Sequence, residues 1–222
     1  MSNASGTRKA VVLSSFLLFL PVSASDGKQK NGSGGNSPPL TFSASPVATD
    51  PGQQFEIPAQ YVNQFSGYRS RFIRLTGYEY SGLHWGEYIS LYVNKNPDAY
   101  VQNYLQYIRT YVESDINEAN QPGSDKFTAY AVGTIFLKEN YRAVGKKPSN
   151  PLTITAMIKR ENGYDSATHD WEFVQFNSEG RVLFDGNSRD APTQAMCIKC
   201  HRNSDERDFV FSTFCSYDPC KK

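Results

Sequence analysis

Apolar and polar residues alternate along several parts of the chain, which is the pattern of β-strands that bury one face. The clearest case is 152–159, where apolar residues take every second position from Leu152 to Ile158. From this pattern, and from their content of β-branched and aromatic residues, we predict strands at 87–93, 127–139, 152–159, 170–176 and 181–184. A turn at 177–180 joins the last two, and the four strands from 127–139 onward form an antiparallel meander.

One segment has helical instead of alternating periodicity. Asn96, Pro97 and Asp98 provide an N-cap residue, a proline at the first helical position and a carboxylate in the first turn. The apolar residues that follow recur at intervals of three and four and form one stripe: Val101, Tyr104, Leu105, Ile108 and Val112. Residues 60–75 are predicted to be irregular or helical, and 117–125 a surface loop. The sequence therefore predicts an α+β domain, a mainly antiparallel β-sheet packed on a few helices.

The N-terminal region has the features of a secretory signal peptide. Arg8 and Lys9 precede an apolar run at 10–22, which ends at the small-residue site Val22, Ser23 and Ala24. This run is too short for a comfortable membrane span, so we expect cleavage after residue 24 and a periplasmic protein without stable membrane insertion. A retained membrane anchor is the alternative.

Composition divides the remainder of the chain. Residues 25–40 are rich in Gly, Ser, Asn and Lys and are predicted to be a flexible linker, which leaves 41–222 as one domain. The whole chain contains 23 basic and 22 acidic residues. This balance gives no indication of a nucleic-acid partner.

All four cysteines lie near the C-terminus, and the first two belong to a motif. Cys197 and Cys200 are separated by two residues, and His201 follows at once, which is the attachment pattern of c-type haem. In this pattern the two thiols add to the haem vinyl groups and the histidine binds the iron. We therefore predict one covalent haem c in a C-terminal haem-binding segment. A thioredoxin-like redox pair and half of a zinc site share the Cys-x-x-Cys spacing and are the alternatives.

The other two cysteines, Cys215 and Cys220, can form a small disulfide in an oxidising compartment.

The second axial position of the iron decides between electron transfer and ligand binding. The candidate ligands are Met157, His84 and His169. Met157 stands in the middle of a predicted strand, where methionine usually fills the core, and both histidines lie in polar, loop-like surroundings. We therefore predict a vacant or water-bound position. A six-coordinate electron-transfer cytochrome remains the alternative.

Several segments together resemble the cytochrome P460 family. The resemblance extends over about residues 60–214 and is carried by 81–84, 89–94, 133–139, 157–160, 170–173, 197–201 and 208–211. It implies a small c-type cytochrome with a mainly antiparallel sheet and a five-coordinate haem, commonly a homodimer. It also implies oxidation of hydroxylamine, with electrons passing to a soluble cytochrome.

The resemblance assigns a role to one lysine. Lys138 occupies the position of the lysine that is covalently bonded to the porphyrin in the typical family member. Its neighbours Thr134 and Phe136 share its face of the predicted strand, so a haem packed on Phe136 would also meet Lys138. The alternative is a solvent-exposed lysine at the end of a strand.

One position departs from the family pattern. An arginine stands in hydroxylamine-oxidising members where this sequence has Ile89. This difference predicts a more apolar pocket, as in related cytochromes that bind nitric oxide without oxidising hydroxylamine, and it leaves a gas-binding sensor or scavenger as a further alternative. Glu206 and Asp208 follow His201 within seven residues. We expect them to act as proton relays, and structural caps are the alternative.

Overall fold

Among the residues that the computed structural model describes, seven strands form one sheet, and every pairing between them is antiparallel. The structure describes residues 55–82, 86–112 and 127–221. The strands are β1 (Ile73–Arg74), β2 (Glu79–Ser81), β3 (Glu87–Val93), β4 (Ile135–Val144), β5 (Lys147–Lys159), β6 (Trp171–Asn177) and β7 (Val182–Gly186). They follow the order β1-β3-β4-β5-β6-β7, with β2 also paired to β3. The meander predicted after the helix is confirmed, since β4, β5, β6 and β7 are neighbours in chain order.

Short helices surround the sheet. They are α1 (Val62–Phe65), α2 (Tyr68–Arg71), α3 (Pro97–Tyr107), α4 (Ala191–Thr193) and α5 (Lys199–His201). A π-helical turn, Ile108–Val112, continues α3, and another, Gln194–Ile198, joins α4 to α5. Single 3-10 turns lie at Ala59–Tyr61, Ser166–Thr168 and Asp218–Cys220, and a longer one at Arg202–Arg207. The predicted α+β class is confirmed, and among the described residues no helix is long and apolar enough to span a bilayer.

The structure corrects three local predictions. The strand predicted at 127–139 begins only at Ile135, because 131–134 form a turn in which Gly133 has a positive φ of 78°. Asn96 precedes α3 in a left-handed conformation, and its side chain makes no capping hydrogen bond. The short strands β1 and β2 were not predicted. The predicted signal peptide, linker and 117–125 loop lie outside the described residues.

The two faces of the sheet pack against different elements. On one face, alternate residues of β4, β5 and β6, such as Leu137, Ile154 and Val174, meet the segment that contains α1 and α2. On the other face, Val93, Phe136, Met157 and Phe173 form a continuous row across four strands. This row packs against α3 and the C-terminal segment that holds the first two cysteines. The second face is the one that positions the candidate site.

A buried carboxylate fastens α2 to the first face. Glu139 has no exposed surface, and its Oε1 accepts hydrogen bonds from the Tyr68 hydroxyl and from Arg69 Nε at 2.6 Å. Its Oε2 accepts one from the Tyr141 hydroxyl at 2.8 Å. Burial and the Glu139 charge raise the pKa of Tyr68 and of Tyr141, so both phenols stay protonated and keep donating.

Replacing Glu139 by Gln tests this network. We expect a loss of about 2–4 kcal/mol in the free energy of unfolding, because Arg69 loses its charge partner in a largely buried environment. The Arg69 side chain is 25% exposed, which reduces the loss below that of a fully buried pair. Urea denaturation measures the difference. Asp218→Asn, which removes the exposed Asp218–Lys221 pair, should cause no measurable change, and an equally small loss for Glu139→Gln would contradict the network's role.

Candidate functional site

On the second face of the sheet, the row of side chains next to the Phe136 row is polar instead of apolar. Lys138 of β4 lies opposite Leu91 of β3 and Thr155 of β5, and Thr155 lies opposite Gln175 of β6. In the next row, Asn140 lies opposite Thr153. Since directly paired residues point to the same face of a sheet, this polar patch faces the same side as the apolar row.

A cavity of about 500 Å³ lies between this patch and the C-terminal segment. The sheet contributes polar side chains, which are Glu87, Lys138, Asn140, Thr153, Thr155 and Gln175, together with Phe184. The facing segment contributes Ala195, Met196, Cys197, Lys199, Cys200, His201 and Asn203. The volume lies in the range of pockets that enclose a small molecule or a cofactor.

Cys197, Cys200 and His201 lie on one helical segment, formed by the π-helical turn Gln194–Ile198 and α5. Cys197 is buried and Cys200 exposed, and both thiols are free. Burial raises the pKa of Cys197 to about 12, although the nearby Lys138 charge acts in the opposite direction. Cys215 and Cys220, in contrast, are joined in a disulfide with their Cα atoms 6.0 Å apart.

The imidazole of His201 is held by one strong hydrogen bond. Its Nδ1 lies 2.7 Å from the carbonyl oxygen of Phe209, and because a carbonyl only accepts, Nδ1 carries the proton and donates it. Nε2 is then the atom with a lone pair for a metal. Burial lowers the pKa of His201 to about 4, so the ring is neutral at pH 7. The rings of Phe173 and Phe211 flank it edge-on, with centroids 5.6 and 5.2 Å away.

The backbone that carries this carbonyl is strained. Asp208 and Phe209 have φ values of 52° and 63°, and neither is a glycine. Two consecutive residues in this region cost about 1–3 kcal/mol each, so the surrounding contacts must enforce the conformation.

Lys138 and Glu87 are the oppositely charged pair of the sheet wall. Burial lowers the pKa of Lys138 to about 8, and the nearby Cys197 and Glu87 act in the opposite direction. Burial raises the pKa of Glu87, against the opposing effect of Lys138 and Arg142. Both groups therefore lie closer to neutrality than exposed Lys and Glu, which makes them candidates for proton exchange at the cavity.

Asn140 supplies a further polar group. Its Nδ2 donates to Thr153 Oγ1 at 3.0 Å, whereas its Oδ1 is buried without a hydrogen-bond partner among the described residues. Since buried polar atoms are rarely left unsatisfied, this oxygen beside the cavity favours a polar occupant.

The model of the family described as Cytochrome P460 matches residues 87–212, more than half of the chain. The chain belongs to the cytochrome P460 family. The match begins with β3 and ends just beyond the loop that binds His201, so it contains both walls of the cavity. A comparison with curated proteins finds no match.

Membership of the cytochrome P460 family makes this a haem protein, and the residues around the cavity fit that cofactor. Two free thiols three positions apart and a neutral imidazole with its Nδ1 already bonded are the donor set that haem requires. Phe184, Ala195 and Met196 add apolar side chains to the cavity lining.

Of the remaining candidate ligands, the two that the structure describes, His169 and Met157, do not line the cavity. Both ring nitrogens of His169 face carboxylates, Nε2 at 3.3 Å from Asp205 and Nδ1 at 3.2 Å from Asp208. Met157 is buried in the apolar core beside Phe136 and Phe173. His84 lies outside the described residues.

Glu206 and Asp208, the predicted proton relays, do not line the cavity either. Glu206 accepts a hydrogen bond from the neighbouring Arg207 Nε at 3.0 Å. Asp208 is buried in contact with Lys159, at 2.7 Å. Their relay role therefore has no contact in the structure to support it, and the structural role considered beside it fits the contacts of Asp208.

Ile89 is buried and lies opposite Asn140 of the cavity lining, but it does not line the cavity itself. The more apolar pocket expected from Ile89 stays a prediction, and the sheet also contributes polar side chains to the lining. Sequence reasoning missed Glu87, Asn140, Thr153, Thr155 and Gln175. The alternation of β3 places Glu87 on the same face as Leu91, but only the pairing of Leu91 with Lys138 brings that face to the cavity.

Glu87→Gln should lower the pKa of Lys138 below its value of about 8, because the Glu87 charge favours the ammonium form. The pH dependence of Lys138 acetylation, followed by mass spectrometry in protein produced without haem, measures this shift. Exposed Lys146 serves as internal reference, and Glu161→Gln, a substitution at an exposed position, is the matched control. An unchanged acetylation profile would show that the two side chains do not interact.

Proposed function

We propose that this protein is a periplasmic cytochrome with a single haem c that oxidises hydroxylamine or a similarly small nitrogen compound. In this proposal the haem is attached to Cys197 and Cys200 and ligated by His201. The observation that supports it most directly is that Lys138 lines the same cavity as these three residues, although it stands about sixty positions earlier in the sequence.

An open iron position is part of the proposal. His201 is the only histidine among the described residues that line the cavity, and the one methionine there, Met196, adjoins Cys197. A haem iron with an available position can bind and oxidise a small ligand. A six-coordinate electron carrier would instead need a second strong ligand within reach of the iron.

The sheet wall supplies the groups that would act around the ligand. Lys138, with a pKa of about 8, is neutral in a substantial fraction at pH 7–8 and is able to bond covalently to the macrocycle. Glu87 is the only carboxylate among the described lining residues, and its raised pKa suits a group that accepts the protons released on oxidation. Electrons would then pass to a soluble cytochrome.

The attachment is tested by removing each cysteine pair in turn. Haem should resist acid–acetone extraction from the wild type and remain with the protein on a denaturing gel. In the Cys197→Ala/Cys200→Ala variant, only a bond to Lys138 could still hold the haem covalently. Haem should therefore be fully extractable from the triple variant that also carries Lys138→Ala. The Cys215→Ala/Cys220→Ala variant should retain its haem, because that pair forms a disulfide away from the cavity lining. Covalent haem in the triple variant would overturn the assignment.

The reaction is tested at Lys138. Lys138→Ala should abolish the strongly red-shifted Soret band expected of the cross-linked ferrous protein and lower the rate of hydroxylamine oxidation by at least about 10²-fold, the contribution typical of a positioned reactive side chain. Lys146→Ala, at an exposed position, is the control. An unchanged spectrum in Lys138→Ala would contradict the cross-link.

The wild-type protein separates the remaining possibilities. A six-coordinate c-type spectrum that carbon monoxide does not perturb would favour an electron carrier. Binding of nitric oxide without any oxidation of hydroxylamine would favour a gas-binding protein. Either result would contradict the proposed reaction while leaving the haem assignment intact.

A further inference from the structure

The carboxylate of Asp208 is buried and makes several polar contacts, which is unusual for a residue on a turn. It is 6% exposed. Both of its oxygens lie 2.7 Å from Lys159 Nζ, and Oδ2 also accepts a hydrogen bond from the backbone N–H of Tyr130 at 2.8 Å. Trp171 Nε1 donates to the Asp208 carbonyl oxygen at 2.8 Å. These contacts have no part in the reaction proposed above.

The groups that donate hydrogen bonds to Asp208 belong to two neighbouring strands and to the residues just before a third. Tyr130 precedes β4, Lys159 ends β5 and Trp171 begins β6, and Lys159 and Trp171 are direct partners in the ladder. Lys159 Nζ also lies 4.8 Å from the centre of the Trp171 ring. One carboxylate therefore attaches the C-terminal loop to one end of the sheet.

The residue after Asp208 holds the imidazole of His201. The Phe209 carbonyl oxygen accepts the Nδ1 proton at 2.7 Å, and the Phe209 N–H donates to Ser204 O at 2.9 Å. Asp208 and Phe209 both have positive φ, and a strained backbone of this kind persists only where contacts enforce it. The contacts of the Asp208 carboxylate, together with burial of the Phe209 ring, provide that enforcement.

We propose that Asp208 is a positioning residue for the haem ligand: by fixing the loop to Lys159 and Trp171, it holds the Phe209 carbonyl on His201 Nδ1. This inference rests on the proposed ligation of the iron by His201. A hydrogen bond from Nδ1–H to a carbonyl makes the imidazole a stronger donor to the metal and fixes the plane of the ring. Asp208 thereby acts on the iron through the backbone without touching the haem.

Asp208→Asn keeps the shape of the side chain but removes its charge and replaces one accepting oxygen with a donor. The loop should loosen, so that the hydrogen bond to His201 weakens and the imidazole donates less charge to the iron. We expect a positive shift of the midpoint potential, because weaker donation favours the ferrous state. We also expect a lower iron–histidine stretching frequency in the resonance Raman spectrum of the ferrous protein.

Asp205→Asn is the matched control. It removes a carboxylate of the same segment whose side chain is 60% exposed and faces His169 Nε2 at 3.3 Å, and the backbone carbonyl that accepts from the Asp208 N–H remains. Neither the stretching frequency nor the potential should change. Trp171→Phe is the second test variant, since it removes the indole N–H donor and keeps the carboxylate of Asp208 and the ammonium group of Lys159. The smaller ring also weakens the contact with Lys159 and packs less well in the core, so the melting temperature of this variant should fall. It should shift the stretching frequency and the potential in the same direction as Asp208→Asn, by a smaller amount.

Two results would count against different parts of the proposal. If both Asp208→Asn and Trp171→Phe lower the melting temperature but keep the wild-type stretching frequency and potential, Asp208 has a structural role only and the inference is wrong. His201→Gly should eliminate the iron–histidine band of the wild-type protein. If the wild type has no such band, or if the band persists in His201→Gly, the proposed ligation is wrong, and this inference fails for that separate reason.

Discussion

The alternation of side chains along β4 is the constraint on which both faces of the molecule depend. Lys138 points to the cavity and Glu139, the next residue, points to the opposite core. A shift of one residue in the pairing of β4 would exchange them, placing an ammonium group among the tyrosines of the first face and a carboxylate beside the cysteines. The pairing with β3 and β5 on either side, together with the apolar row through Phe136, fixes this register.

The same strand shows two ways in which a protein accommodates a buried charge. Around the buried carboxylate of Glu139, hydrogen bonds from Tyr68, Arg69 and Tyr141 replace those of water. Around Lys138, burial outweighs the opposing effect of Cys197 and Glu87 and lowers the pKa to about 8. The first arrangement stabilises the fold, whereas the second leaves Lys138 less strongly protonated than an exposed lysine. Both follow from the polarity of the partners that each face provides.

The sequence predicts the local parts of this structure well and the long-range parts poorly. The motif of Cys197, Cys200 and His201 is contiguous, and the alternation that defines β3, β5 and β6 is a property of single segments. In contrast, Glu87 reaches the cavity only through the pairing of β3 with β4, which depends on residues about fifty positions away. Asp208 lies seven residues from His201, and this closeness in sequence suggested a proton relay. In the structure, Asp208 instead binds Lys159 of a strand distant in sequence and does not line the cavity.

The two walls of the cavity are built by separate means, and this separation has a consequence for function. In the proposed function, the C-terminal wall would set the donor strength of His201 through the Phe209 carbonyl, whereas the sheet wall would provide proton exchange and bonding through Glu87 and Lys138. The contacts that hold the two walls in place, at Asp208 and at Glu139, lie on different elements and share no partner. Substitutions at such independent sites usually add. If His201 and Lys138 have the proposed roles, substitutions at Asp208 and at Glu139 would therefore change the potential of the iron and the reactivity of the ligand pocket independently.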